Sequence, residues 1–167
     1  RDDGRLLHCW RQGHAKIDAF LDDYAYLINA LVTLYEADFD EAWIDEAVRL
    51  ASLVMRHFRD PGAGGFYYTA DDQESTIART KEIFDSSVPG SNAVMAIALV
   101  RLAKLTHRQA WADVALETIQ SASPIMHTAP EAVSQMLVAA DLWLGPTWEL
   151  VVVGDQGMLV FDDTQPV

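Results

Sequence analysis

The chain of 167 residues has a single cysteine, Cys9, so an internal disulfide and a cysteine-ligated structural metal are both excluded. Basic residues are also scarce: twelve Lys and Arg stand against twenty-five Asp and Glu, a formal charge of −13. That balance repels phosphate backbones and anionic lipid surfaces, so neither nucleic acid nor membrane is an expected partner. No apolar run reaches membrane-spanning length without polar interruption, and the basic-then-apolar layout of a signal peptide is missing. With these absences and a lone thiol, the cytoplasm is the expected location. No metal-ligand spacing is visible among His, Cys and acidic residues, and no cofactor is expected. What is present is half hydrophobic and 22% charged, a composition that folds into a soluble core. The opening Arg1-Asp2-Asp3-Gly4 reads as the interior of a longer polypeptide, so an excerpt is expected.

The strongest internal signal is a repeat. Residues 24–51 align without a gap on residues 92–119 at an offset of 68, which carries Trp43 onto Trp111. Nine positions are identical, among them Ala30/Ala98, Leu31/Leu99, Val32/Val100, Leu34/Leu102, Ala42/Ala110, Asp45/Asp113 and Ala47/Ala115. Each copy reads as two helices joined by a tight turn. In the first, residues 21–37 place Tyr24, Leu27, Ile28, Leu31, Leu34 and Tyr35 at helical spacing and are apolar nearly all round. Residues 41–58 keep Ile44, Ala47, Val48, Ala51, Met55 and Phe58 on one stripe, with Asp45, Glu46, Arg49 and Arg56 turned away. The second copy repeats the contrast, in a buried helix over 91–105 and a one-sided helix over 108–121. A third buried helix is expected over about 131–144, ending at Gly145-Pro146.

Buried helices alternating with half-exposed ones suit concentric rings. The expected fold is therefore all-α, a partial α/α toroid of repeated helical hairpins, with a short β-hairpin in the long connector or the C-terminal tail. A tetratricopeptide solenoid, with a repeat of about 34 residues, competes. A shift of half the period from Trp43 lands on Ile77, however, inside a Gly- and Pro-marked stretch from Arg59 to Gly90 that reads as loop with a short strand at Phe66–Thr69. The tail offers two short strands, around Leu150–Val153 and Met158–Phe161. The expected division is residues 1–147 as an incomplete toroid domain and 148–167 as a strand-containing tail.

Several stretches carry a family resemblance: Trp10-Arg11, Gly13, Ala15-Lys16-Ile17, then Ala19-Phe20-Leu21-Asp22-Asp23-Tyr24-Ala25, then Leu34-Tyr35-Glu36-Ala37, then Gly64-Gly65-Phe66-Tyr67-Tyr68-Thr69-Ala70-Asp71-Asp72. From about residue 3 to 154 the chain resembles the YyaL-type proteins, relatives of the spermatogenesis-associated thioredoxin-containing proteins. The resemblance implies a thioredoxin-like domain followed by a toroid similar to N-acylglucosamine 2-epimerases and six-hairpin glycosidases, of which this chain would be the later half. The thioredoxin-like part is not in this sequence, so no cysteine redox chemistry is carried over. Where such proteins read Pro-Ser-Gly-Asn-Ser, this chain has Pro89-Gly90-Ser91-Asn92-Ala93.

Toroid enzymes generally work where loops enter the inner helices, here residues 8–20 and 59–91. Asp22 and Asp23 open the first inner helix and Asp85 precedes the next; carboxylates grouped in a cleft can divide acid and base roles. Asp22 is equally a natural helix cap. His14 is the candidate proton carrier, with Arg11 and Lys16 beside it as cationic candidates for substrate binding. Tyr24, Tyr67, Tyr68 and Asn92 are candidate substrate contacts, the aromatic rings as sugar-stacking faces or as core, Asn92 as a hydroxyl partner or a cap. His57, His107 and His127 read as structural or solvent-facing, Trp43 and Trp111 as packing residues, Asp71 and Asp72 as surface charge. Two functions stay open: a carbohydrate-directed isomerase, epimerase or hydrolase, and a non-catalytic helical scaffold or ligand-binding domain that supports a thioredoxin-like domain. Apolar inner surfaces left uncovered predict self-association.

Overall fold

The computed structural model describes residues 1, 3–73, 78–146, 149–153 and 158–162. It is mostly helical. After an antiparallel hairpin of β1 (Leu7–Arg11) and β2 (His14–Asp18) come α1 (Leu21–Asp38) and α2 (Glu41–His57), then a long connector, α3 (Ser91–Thr106) and α4 (Gln109–Ser121). A short α5 (Ser123–Thr128) and a 3-10 turn (Pro130–Val133) lead into α6 (Ser134–Leu144), and β3 (Glu149–Val153) pairs antiparallel with β4 (Met158–Asp162).

The two repeat units adopt the same local form. Each first helix ends on a left-handed residue at the equivalent position, Phe39 at φ 60° and His107 at φ 52°, whose N–H bonds back four residues to Tyr35 and Ala103. That conformation closes the turn by satisfying a terminal carbonyl. In the first unit Asp40 then caps α2 through the Ala42 N–H at 3.0 Å.

Packing sorts the helices into rows. α1, α3 and α6 lie side by side, with α2 on α1 and α4 on α3. α3 is the centre: Ser91 to Val100, Leu102 and Ala103 are all buried. Burying each of Met95, Leu99 and Leu102 stabilises by about 1.5–3 kcal/mol, since a full apolar side chain leaves water.

Four expectations change. The stretch 8–20, read as loop, is mostly the β1–β2 hairpin. The strand expected at Phe66–Thr69 reduces to one bridge, Phe66 with Arg59. The helix expected over 131–144 starts with a 3-10 turn, and α5 was not foreseen. α1 is not buried all round, because Tyr26, Leu27 and Leu34 are exposed on one flank. The C-terminal hairpin stands where the tail strands were expected, and its turn at 154–157 lies outside the described residues. Among the described residues no helix is long and apolar enough to cross a membrane.

Candidate functional site

The first turn of α1 gathers ionisable and aromatic side chains from three segments. The connector is tied to it by the Leu21 N–H, which donates to the Tyr68 carbonyl at 2.9 Å. This bond lays the Tyr68 ring on Phe20, 4.9 Å between centroids and 4° from parallel. From β1, His8 meets the edge of Phe20 at 5.3 Å and its Nδ1 lies 2.9 and 3.1 Å from the two Asp23 oxygens. Asp23 Oδ2 also accepts the Phe20 N–H at 2.9 Å. Asp22 Oδ1 accepts the Asp23 N–H at 3.0 Å, and the Tyr68 hydroxyl reaches Asp22 Oδ2 through a long 3.4 Å bond.

The helix start draws these carboxylates in. The first N–H groups of a helix lack internal partners and carry partial positive charge, so acidic groups at its first turn are favoured. The capping contact back to Phe20 belongs to Asp23, not to Asp22 as the sequence suggested; Asp22 instead bonds the N–H next to its own.

Negative charge then shapes the proton affinities. The Asp23 carboxylate, by hydrogen bond and charge, raises the His8 imidazole above its ordinary 6.5. Burial, with the charges of Asp22 and Glu82, pushes the Tyr68 phenol up to about 12. Partial desolvation and the Asp22 charge raise Glu82 too, and desolvation with Asp22, Asp85 and Glu82 raises Tyr26. Among the described residues no basic side chain pairs with Asp22 or Glu82. The result is a shelf of two stacked rings, Phe20 and Tyr68, edged by carboxylates and an imidazole held by one of them. Such a surface can stack the apolar face of a sugar ring and exchange protons with its hydroxyls.

Other expected site residues are placed differently. His14, Arg11 and Lys16 are exposed on the β1–β2 hairpin, Arg11 and His14 flanking its Gln12-Gly13 turn. The strand carries His14 about 13 Å along its length from Asp18. The histidine at the carboxylates is His8. Tyr24 is 1% exposed, and its hydroxyl accepts the Leu6 N–H at 3.0 Å, so it is a core residue rather than a substrate contact. Asn92 is also enclosed: its Oδ1 accepts the Phe66 N–H at 2.7 Å, and its Nδ2 donates to the carbonyls of Phe66 and Glu82 at 2.9 Å each. Asn92 fixes the connector on α3, with both amide hydrogens used and the side chain buried. Asp85 does similar work, accepting the Gly90 and Gln135 N–H groups on separate oxygens at 2.8 Å and joining the starts of α3 and α6. The Tyr67 ring is covered by the Arg79 guanidinium at 4.1 Å and by Lys81 at 5.3 Å, whose ammonium pairs with Asp60 at 2.7 Å. Its stacking face is taken.

His57, Asp71 and Asp72, read as structural or surface residues, come together with ligand atoms within 4.8 Å of one another. One imidazole and two carboxylates are a donor set for a divalent cation. Here the His57 Nδ1 bonds Asp71 at 2.8 Å and Arg5 holds Asp72 at 2.6 Å, so both carboxylates already have partners within the chain.

His8, Phe20 and Glu82 were missed by sequence reasoning. The Gln12-Gly13 turn signal could have placed His8 on a strand paired with the one that leads into α1; Phe20 and Glu82 carry no comparable mark.

Fold and site together define a chain of repeated helical hairpins with acidic and aromatic side chains gathered at the start of α1. No family model matches it. Its sequence is similar to spermatogenesis-associated protein 20 of Rattus norvegicus, 29% identical over 148 residues, which cover 88% of this chain and 18% of that protein. The human protein of the same name is 29% identical over 149 residues, covering 89% and 18%, and an uncharacterised protein of Caenorhabditis elegans is 28% identical over 154 residues, covering 92% and 21%. The chain is thus a homologue of spermatogenesis-associated protein 20, in agreement with the motifs that pointed to that family. It spans about a fifth of the length of these relatives.

Proposed function

We propose that this chain forms part of an α/α toroid in which the start of α1 is a carbohydrate-directed site, serving an isomerase, epimerase or hydrolase. The row α1, α3, α6 with α2 and α4 outside it supports the toroid reading. The observation that carries the site is the Phe20–Tyr68 stack bounded by Asp22 and by the His8–Asp23 pair. In this reading the shelf holds a sugar ring, Asp22 binds its hydroxyls, and His8 moves protons under the control of Asp23. The single thiol, Cys9, is consistent with a cytoplasmic setting.

A second reading is favoured by the number of candidate side chains occupied with backbone groups. Asn92 and Asp85 hold the connector, and Asp23 holds the helix start. A helical scaffold that binds a ligand without turnover, or supports a thioredoxin-like domain, would need no more.

Thermal-shift measurements against mono- and disaccharides, amino sugars and sugar phosphates separate the two. A sugar that raises the melting temperature of the chain, with the rise lost in Tyr68→Ala and His8→Gln, supports the carbohydrate site. No shift from any sugar in a folded sample overturns it and leaves the scaffold.

A further inference from the structure

Negative charge at the start of α1 is not balanced from within the chain. All twelve Lys and Arg residues lie among the described residues, and none of them forms an ion pair with Asp22, Asp23, Glu82 or Asp85. Arg79 and Lys81, the basic residues nearest Glu82 in sequence, are engaged elsewhere. Arg79 donates to the His57 and Thr69 carbonyls at 2.8 and 3.0 Å, and Lys81 pairs with Asp60 at 2.7 Å. His8 pairs with Asp23 alone, and Asp85 accepts backbone N–H groups on both oxygens. Asp22 and Glu82 are left as carboxylates without a cation.

Backbone bonds bring Glu82 to this place. The Tyr68 carbonyl accepts the Leu21 N–H at 2.9 Å and the Tyr68 N–H donates to the Thr80 carbonyl at 2.7 Å, so one residue joins the start of α1 to the segment that carries Glu82. The Glu82 carbonyl in turn accepts from Asn92 Nδ2 at 2.9 Å, which anchors that segment on α3. Burial, and after it the Asp22 charge, raises the proton affinity of Glu82, Tyr26 and Tyr68 alike. A potential that opposes further negative charge at three neighbouring groups favours a positive one. The positive end of α1, equivalent to about half an elementary charge, offsets only part of it.

We infer that the sugar taken at the start of α1 is cationic, an amino sugar with a free protonated amine, and not a neutral, N-acylated or phosphorylated one. The inference rests on the carbohydrate reading and decides only the charge of the sugar. A primary amine is protonated near neutral pH and brings three N–H donors, which can pair with Asp22 and Glu82. With the ring on the Phe20–Tyr68 stack, the ammonium is also drawn to the aromatic faces. Acylation removes the charge and two of the donors. A phosphate adds charge of the wrong sign.

Isothermal titration calorimetry on the intact chain tests this with a hexosamine, its N-acetyl form, the parent hexose and the hexose phosphate, each in the gluco, galacto and manno series. The hexosamine is expected to bind about tenfold tighter than the hexose or the N-acetyl form, the size of one charge-assisted hydrogen bond, and the phosphate weakest of all. In Glu82→Gln, or in Asp22→Asn should that variant fail to fold, the advantage of the amine is expected to fall. Asp45→Asn, which removes the same charge at an exposed position of α2, is expected to keep it. Hexose or N-acetyl sugar binding as tightly as the amine, with binding lost in Tyr68→Ala, leaves the carbohydrate site standing and overturns its preference for a cation; tightest binding of the phosphate does the same. An amine preference that survives in both Glu82→Gln and Asp22→Asn, or that falls equally in Asp45→Asn, belongs to the overall charge of −13 and also overturns the inference. No binding of any of these sugars to the folded chain overturns both readings.

Discussion

Replacing Asn92 by Ala should destabilise the chain more than most substitutions of a polar residue. The side chain lies 2% exposed at the start of α3 and satisfies three backbone groups on the connector. Truncation leaves the Phe66 N–H and C=O without partners in a place water does not reach, since Phe66 itself is 0% exposed. A buried backbone group stripped of its partner costs about 1–3 kcal/mol, so the two together cost about 2–6 kcal/mol. The Glu82 carbonyl, on a more exposed residue, can recover a bond to water and adds little. For a chain of this size about 4 kcal/mol lowers the melting temperature by roughly 10 °C. Urea unfolding followed by circular dichroism, at fixed protein concentration because association would shift the midpoint, measures the loss. Asn92→Asp should be no better: it keeps an acceptor for Phe66 but turns a carboxylate toward two carbonyls. A loss below about 1 kcal/mol for Asn92→Ala would show that water enters behind the connector, and would refute its rigid attachment to α3.

Gly65 sits beside the same contact at φ 71°, and a Cβ there would lie 2.8 Å from Asn92 Oδ1. Gly65→Ala should therefore cost about 2 kcal/mol or more by the same urea assay, combining left-handed strain with displacement of the Asn92 side chain. The His8 imidazole is raised by Asp23, so the native state holds its proton more tightly than the unfolded chain does. That contribution is complete below the unfolded value near 6.5 and is lost as pH rises through the native one; the melting temperature should fall over this interval, and His8→Gln should flatten that step.

The helices were legible because their signal is local. Apolar residues at helical spacing marked α1 to α4 within a residue or two at most ends, and the repeat confirmed the pairing of each hairpin. The β1–β2 hairpin was not legible for the same physical reason: from His8 to Ile17 its side chains are exposed, so no apolar alternation sets the strands apart from a loop. α5 spans six residues, too few for a periodicity to appear. At the site, the location could be read from Asp22 and Asp23 but the roles could not, because a role depends on partners distant in sequence. Tyr24 is claimed by Leu6, Asn92 by Phe66, Asp85 by Gln135. His8 and His14 differ only in their place along the hairpin, and the fold brings one to Asp23 while leaving the other near the turn. Asp23 shows that one carboxylate can cap a helix and hold a neighbouring ring together. Its Oδ2 takes the Phe20 N–H and faces the His8 ring at once, so the bond that starts the helix also fixes the carboxylate that orients the imidazole. An Asp23→Asn variant would retain an oxygen for the cap while weakening the hold on protonated His8. It should therefore lose little helix stability but most of the pH dependence assigned to His8, an outcome that a purely structural Asp23 does not produce.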